Sequence, residues 1–172
     1  TLVVTLERGQ NDDEIGKIID FALEYRCLRG VTFQPTQVAG RVDNFDPLKN
    51  KFTLTETRQG ILDQTDIFKE NDIVPVPCNP DALAMAYALK LDGKVVPLTS
   101  MIDPDIFLNG TRNTILLEQE ENLQKELIKV FSTSQTGGTL AKNLQTLLCC
   151  LPMISAPNLS YENIFRVIIL KF

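Results

Sequence analysis

The chain has 172 residues, 44% apolar and 23% charged, which allows one packed domain with an extension and excludes disorder over most of its length. Seventeen basic against 22 acidic side chains give a formal charge of -5 with no Lys/Arg cluster, so nucleic-acid binding is excluded as a function class. Histidine is absent, which removes histidine general bases, histidine-containing triads and histidine-ligated zinc together.

In chain order, Thr1-Leu2-Val3-Val4-Thr5-Leu6 alternates as a strand does. A loop over Glu7–Asn11 leads to a helix from about Asp12 to Glu24, with acidic residues at its start and Ile15, Ile18, Ile19, Ala22 and Leu23 on one face. Arg29-Gly30 turns the chain into a second strand, Val31-Thr32-Phe33-Gln34, stopped by Pro35. Strand, helix and strand at this spacing predict a βαβ unit with parallel strands. Ligand chemistry in such units collects after the strands' C-terminal ends, here Glu7–Asn11 and Gln34–Arg41.

Residues 37–51 read as a polar loop, and Thr53 with Glu56 as a capping box opening a helix to about Gln64. Two prolines make Ile73–Cys78 stiff and extended, and Asn79-Pro80 predicts the start of a short helix. Tyr87–Leu91 and Lys94–Leu98 flank Asp92-Gly93 as a hairpin with a type I′ turn. A helical turn is expected over Asp103–Leu108, and helices over 113–131 and 140–151, joined through Ser132–Gly138. Gly137-Gly138 lacks the Lys-Ser/Thr of a phosphate loop and reads as a hinge. Phe165–Phe172 is an apolar strand or buried helix. Both chain ends thus read as interior elements of a longer protein; the competing expectation is a domain whose terminal strands pair with each other. The fold class is α/β, α+β overall.

No apolar run reaches the ~18 residues that span a bilayer, and no leader pattern opens the chain, so a cytoplasmic protein is expected. The cysteines, Cys27, Cys78, Cys149 and Cys150, include no C-x-x-C pair and suit a reduced compartment, buried or on a metal. Adjacent residues on a helix point about 100° apart, so Cys149 and Cys150 are poor co-ligands and read, like Cys27, as packing residues.

The segment Thr5-Leu6-Glu7-Arg8-Gly9-Gln10-Asn11-Asp12-Asp13-Glu14-Ile15 resembles the passage from a late barrel strand through an Asn-Asp-x-Glu loop in radical S-adenosylmethionine enzymes. Gly30–Pro35 with Gly40-Arg41 resembles the last barrel strand of one branch, which includes tetraether-lipid synthase-like proteins. Asp72–Cys78, Leu148–Pro152 and Leu159–Asn163 are similar to downstream stretches of the same branch. The resemblance covers nearly the whole chain. It implies that residues 1–41 are the last βαβ unit of a partial (β/α) barrel and 42–172 a mixed C-terminal extension with a hairpin and helices. It further implies a [4Fe–4S] cluster and S-adenosylmethionine in the full-length protein. The chain has no C-x-x-x-C-x-x-C triplet to hold that cluster, so it is expected to bind neither group and to be inactive alone.

The expected role is completion of the barrel and shaping of the pocket in an iron–sulfur oxidoreductase or transferase. Its implied partners are the N-terminal barrel of the same chain and a small-molecule or lipid-like substrate. The alternative is a non-catalytic protein-interaction module. By position, Asn11 either faces the ligand or caps the following helix, and Gln34 either bonds the ligand or pairs with loop backbone. Phe33 or Pro35 would lie against an adenine. Arg41, after Gly40, is a carboxylate or phosphate clamp or else a surface ion-pair residue. Cys78, before a helix N-terminus, is an auxiliary metal ligand or a buried small side chain. It precedes Asn79, Pro80 and Asp81, where relatives with an auxiliary iron centre carry further cysteines. No catalytic residue is assigned.

Overall fold

A computed structural model describes residues 1–37, 43, 46–76, 79–91, 94–100 and 163–171. The expected helices over 103–108, 113–131 and 140–151, the Asp92-Gly93 turn and the Gly137-Gly138 hinge lie outside them. In chain order the elements are β1 (Leu2–Leu6), α1 (Ile15–Glu24), β2 (Gly30–Pro35), α2 (Pro47–Asn50) and α3 (Leu54–Gln64). There follow a 3₁₀ turn (Glu70–Asp72), β3 (Val74–Pro75), β4 (Leu83–Leu91), β5 (Lys94–Pro97), a second 3₁₀ turn (Leu98–Ser100) and β6 (Ile164–Leu170). The strands form one mixed six-stranded sheet in the order β1-β2-β6-β4-β3, with β5 paired to β4.

The β1-α1-β2 unit is parallel as predicted, with Leu2 beside Val31 and Leu6 beside Pro35. The helix begins at Ile15 instead of Asp12, because the intervening residues turn: the Glu14 N–H donates to the Asn11 carbonyl, and the Asp12 carboxylate accepts from the Gly9 N–H. The capping box is present as read: Thr53 accepts from the Glu56 N–H while Glu56 accepts from that of Thr53. The hairpin also stands, Leu91 beside Lys94. The short helix expected from Asn79 does not form. Asn79 accepts only one turn of bonds, from Ala82 and Leu83, before β4 begins at Leu83. A strand pairing on both sides with β3 and β6 outweighs the local start signal.

The C-terminal segment resolves as a strand and lies between β2, to which it is parallel, and β4, to which it is antiparallel. The terminal strands β1 and β6 are therefore not partners. The period-2 alternation of each strand sends one set of side chains to each face. Leu6, Val31, Phe33, Phe165, Val167, Ile169 and the small Ala84, Ala86 and Ala88 form a core with Ile15, Ile19 and Ala22 of α1 and Ile61 of α3. Both helices thus cover one face. Two glycines let them meet: a Cβ at Gly16 would fall 2.2 Å from the Gln64 carbonyl oxygen, and one at Gly60 2.6 Å from Ile15 Cδ1.

Candidate functional site

The C-terminal ends of the parallel pair β1 and β2 come together at Leu6 and Pro35, where the sequence places ligand chemistry. The backbone there is closed off by its own chain. The Leu6 carbonyl accepts from both the N–H and the hydroxyl of Thr36, each at 2.8 Å. Asn11 braces the turn: its Oδ1 accepts from the Glu7 N–H at 2.9 Å, and its Nδ2 donates to the Thr5 carbonyl at 2.9 Å. Gly9 takes φ +73°, a left-handed conformation that suits glycine.

Arg8 ties this turn to the start of α3. Its Nη2 donates to the Lys51 carbonyl at 2.8 Å and to Glu56 Oε1 at 2.5 Å, and its guanidinium lies 5.5 Å from the centre of the Phe52 ring. Burial pushes the Glu56 carboxyl up, but hydrogen bonds from Arg8 and Thr53 outweigh it and hold the group below the usual carboxylate range. At the far end of α3, Gln64 Nε2 donates to the Asp12 carbonyl at 2.7 Å and its Oε1 accepts from the Gly16 N–H at 3.1 Å. That supplies α1 with a cap that its own N-cap residue, Glu14, lacks.

The side chains that point away from the helices differ along the sheet. Over β4 and β6 they include the buried apolar Met85, Leu89 and Ile168, with Tyr87 of β4 beside Arg166 of β6 between them. Over β1 and β2 they are Val3, Thr5, Thr32 and Gln34, with Val3 beside Thr32 and Thr5 beside Gln34. Val3 is 64% exposed, Thr5 is exposed, and Thr32 and Gln34 are half-buried.

The residues singled out from the sequence divide as follows. Asn11 is half-buried and its carboxamide is engaged with backbone; it does not cap α1 by its side chain. Phe33 is fully buried in the core beneath the helices. Gln34 sits at the strand end on the opposite face, and among the described residues its carboxamide makes no hydrogen bond. Arg41 and Cys78 lie outside the described residues, as do Cys149 and Cys150. Cys27 is an exposed free thiol in the α1–β2 connection, at the opposite end of the parallel pair from Asn11 and Gln34. No group of three or more metal-ligating Cys, Asp or Glu side chains forms among the described residues. No helix among them is long and apolar enough to cross a membrane.

Sequence reading missed Arg8 and Gln64, whose partners lie 48 and 52 residues away. No local pattern announces such pairs. Thr5 and Thr32 were accessible: the alternation that buries Val31 and Phe33 places Thr32 with Gln34 on the other face.

No family model matches the chain. It is similar to a 7,8-dihydro-6-hydroxymethylpterin dimethyltransferase of Methanocaldococcus jannaschii, with 32% identity over 138 aligned residues covering 66% of this chain. The chain spans 27% of the length of that curated relative.

Proposed function

We propose that the chain is the closing part of a radical S-adenosylmethionine enzyme of the transferase type. Residues 1–41 form the last βαβ unit of its barrel and 42–172 an extension that shapes the substrate pocket. The observation that carries this reading is the edge of β1. It is an end strand of the sheet, and among the described residues nothing pairs with its outer side. The strand Leu2-Val3-Val4-Thr5-Leu6 has no proline, charge or bulge to blunt that edge. The flank of α1 turned away from Gly16 and α3 adds Phe21 and Tyr25, 49% and 47% exposed, with ring centroids 4.8 Å apart. An open strand beside an exposed aromatic flank suits a further strand–helix unit of the same barrel. The interaction-module alternative calls for a covered or blunted edge, which β1 does not supply among the described residues.

The similarity to a dimethyltransferase supports a transferase over an oxidoreductase, and a small heterocyclic substrate over a lipid. In the full-length protein S-adenosylmethionine would lie near Asn11 and Gln34, and a [4Fe–4S] cluster would supply the electron for its cleavage. This chain's residues do not fit that cluster: four cysteines include no C-x-x-x-C-x-x-C triplet, and Cys27 is at the wrong end of the strands. What the chain contributes is a braced rim, in which Asn11, Thr36 and Arg8 fix the turn backbone and leave Gln34 to meet a ligand. Arg41 as an anion clamp and Cys78 as an auxiliary ligand belong to the same proposal.

The test is anaerobic reconstitution of the full-length protein with iron and sulfide, followed by iron analysis and spectroscopy. Bound [4Fe–4S] and a cysteine triplet ~100 residues before Thr1, the spacing a (β/α) barrel sets, are expected. Iron beyond one cluster that disappears in Cys78→Ala would make Cys78 an auxiliary ligand. A protein with neither triplet nor iron would return the interaction module as the working reading.

A further inference from the structure

The buried apolar residues fall into two sets. One packs under α1 and α3. The other includes Val74, Leu83, Met85, Leu89, Leu98 and Ile168, which are 1–8% exposed and lie outside that core. Its members on β4 and β6 point to the opposite face from α1 and α3. Burial then falls off across the sheet. Ile168 of β6 is covered, Thr32 beside it on β2 is half-buried, and Val3 beside Thr32 is 64% exposed. A second layer of this chain therefore covers the β4–β6 half of the face and stops at β2.

The connectivity says which part of the chain that is. β5 and β6 lie on either side of β4 and both run antiparallel to it, so they are parallel to each other. The passage from β5 to β6, residues 101–162, has to cross β4 and lies outside the described residues. Crossovers between parallel strands are almost always right-handed. The step from β1 to β2 goes one way along the sheet; the step from β5 to β6 goes the other way, between strands of the same direction. Two right-handed crossovers in opposite directions lie on opposite faces, and α1 occupies the first.

We infer that residues 101–162 form the second layer, packed on the helix-free face of β4 and β6, and that the edge of this layer is a wall of the substrate pocket. The second clause rests on the proposed enzyme reading, in which Gln34 meets the ligand. The segment suits the surface. Residues 113–131 carry an apolar seam through Ile115, Leu116, Leu123 and Leu127, and are acidic through Glu118, Glu120, Glu121 and Glu126. The β4–β6 face is apolar apart from Tyr87 and Arg166. With that half closed, the sheet residues of this chain left to contact a ligand on this face are those of β1 and β2.

The test uses the 172-residue chain and its own thiols, read by mass spectrometry after alkylation. Cys27 is exposed and sets the reference rate. Cys149 and Cys150 lie in the apolar run of residues 140–151 and should react at least ~tenfold more slowly, as groups released only by local opening do. Met85→Thr and Ile168→Thr put a hydroxyl under the layer with a residue that suits a strand. In chains that keep the native circular dichroism, each should speed Cys149 and Cys150 several-fold and leave Cys27 unchanged. Cys149 and Cys150 as reactive as Cys27 in the native chain, or rates indifferent to both substitutions, would overturn the inference. A short amine cross-linker needs no variant: a link from Lys125, Lys129 or Lys142 to Lys17 of α1 would put the segment on the helix side and overturn it as well. The two readings fail separately. An iron-free full-length protein with protected Cys149 and Cys150 keeps the second layer and loses the pocket wall. An iron-loaded protein in which both thiols react freely keeps the enzyme and loses the layer.

Discussion

Asn11 holds the first turn through both ends of its carboxamide, as acceptor for the Glu7 N–H and donor to the Thr5 carbonyl. Asn11→Asp keeps the acceptor and loses the donor, leaving a carboxylate against the Thr5 carbonyl, so it should destabilise at least as much as Asn11→Ala at neutral pH. A loss of ~1 kcal/mol is expected for the alanine variant, read from urea unfolding. Glu56 gives a pH signature. Its carboxyl is held below the usual value, so the folded state binds a proton less readily than the unfolded chain. The stabilisation is therefore present above the unfolded carboxylate value, near 4.5, and is lost as pH falls through the lower folded value. The stability gap between the native chain and Glu56→Gln should be constant from pH 6 to 8 and close only in acid. A gap that closed near neutrality would contradict the pairing with Arg8. Since the Glu56 side chain is 40% exposed, salt should shrink the gap as well.

The contact between α1 and α3 depends on glycine. At Gly16 alanine would gain up to ~1 kcal/mol in helix propensity, but its methyl would fall 2.2 Å from the Gln64 carbonyl oxygen, a backbone atom that can move only with the helix end. Overpacking of this kind costs ~1–3 kcal/mol, and separation would also stretch the two Gln64 bonds that cap α1. Gly16→Ala should therefore lower the melting temperature despite its better propensity. Gly60→Ala should do less harm, because it meets the end of the flexible Ile15 side chain. These elements also show what the sequence could and could not reveal. The capping box, the βαβ spacing and the hairpin are local patterns whose signal lies within a few residues or one crossover, and they were legible. Asn79-Pro80 is as local, yet its helix loses to β4, because two neighbouring strands satisfy the Leu83–Leu91 backbone. The strand-end position of Gln34, on the face away from the helices, was legible from the alternation of β2. The role of Arg8 was not legible, because its carboxylate partner is fixed only once α3 packs.

At the scale of the described sheet, the strand latest in sequence lies in the interior. β6 inserts between β2 and β4, so a segment more than 120 residues after β2 joins its open side. Among the described residues the outer side of β1 is unpaired. An unblunted strand edge pairs with whatever strand it meets, including that of a second copy. The 172 residues alone should then self-associate with rising concentration, seen as a growing hydrodynamic size. Val3→Lys places a charge on the exposed middle of that strand and should hold the chain monomeric with its fold intact. On the proposed barrel reading the sign reverses in the longer protein. There Val3 would be enclosed, burial of a valine is worth ~1.5–3 kcal/mol, and a lysine in its place is costly. Val3→Lys should lower the full-length protein's melting temperature while improving the short chain's solution behaviour. A substitution neutral in both, with the native 172 residues monomeric at every concentration, would mean that the β1 edge is already covered, and the barrel reading would lose the observation that carries it.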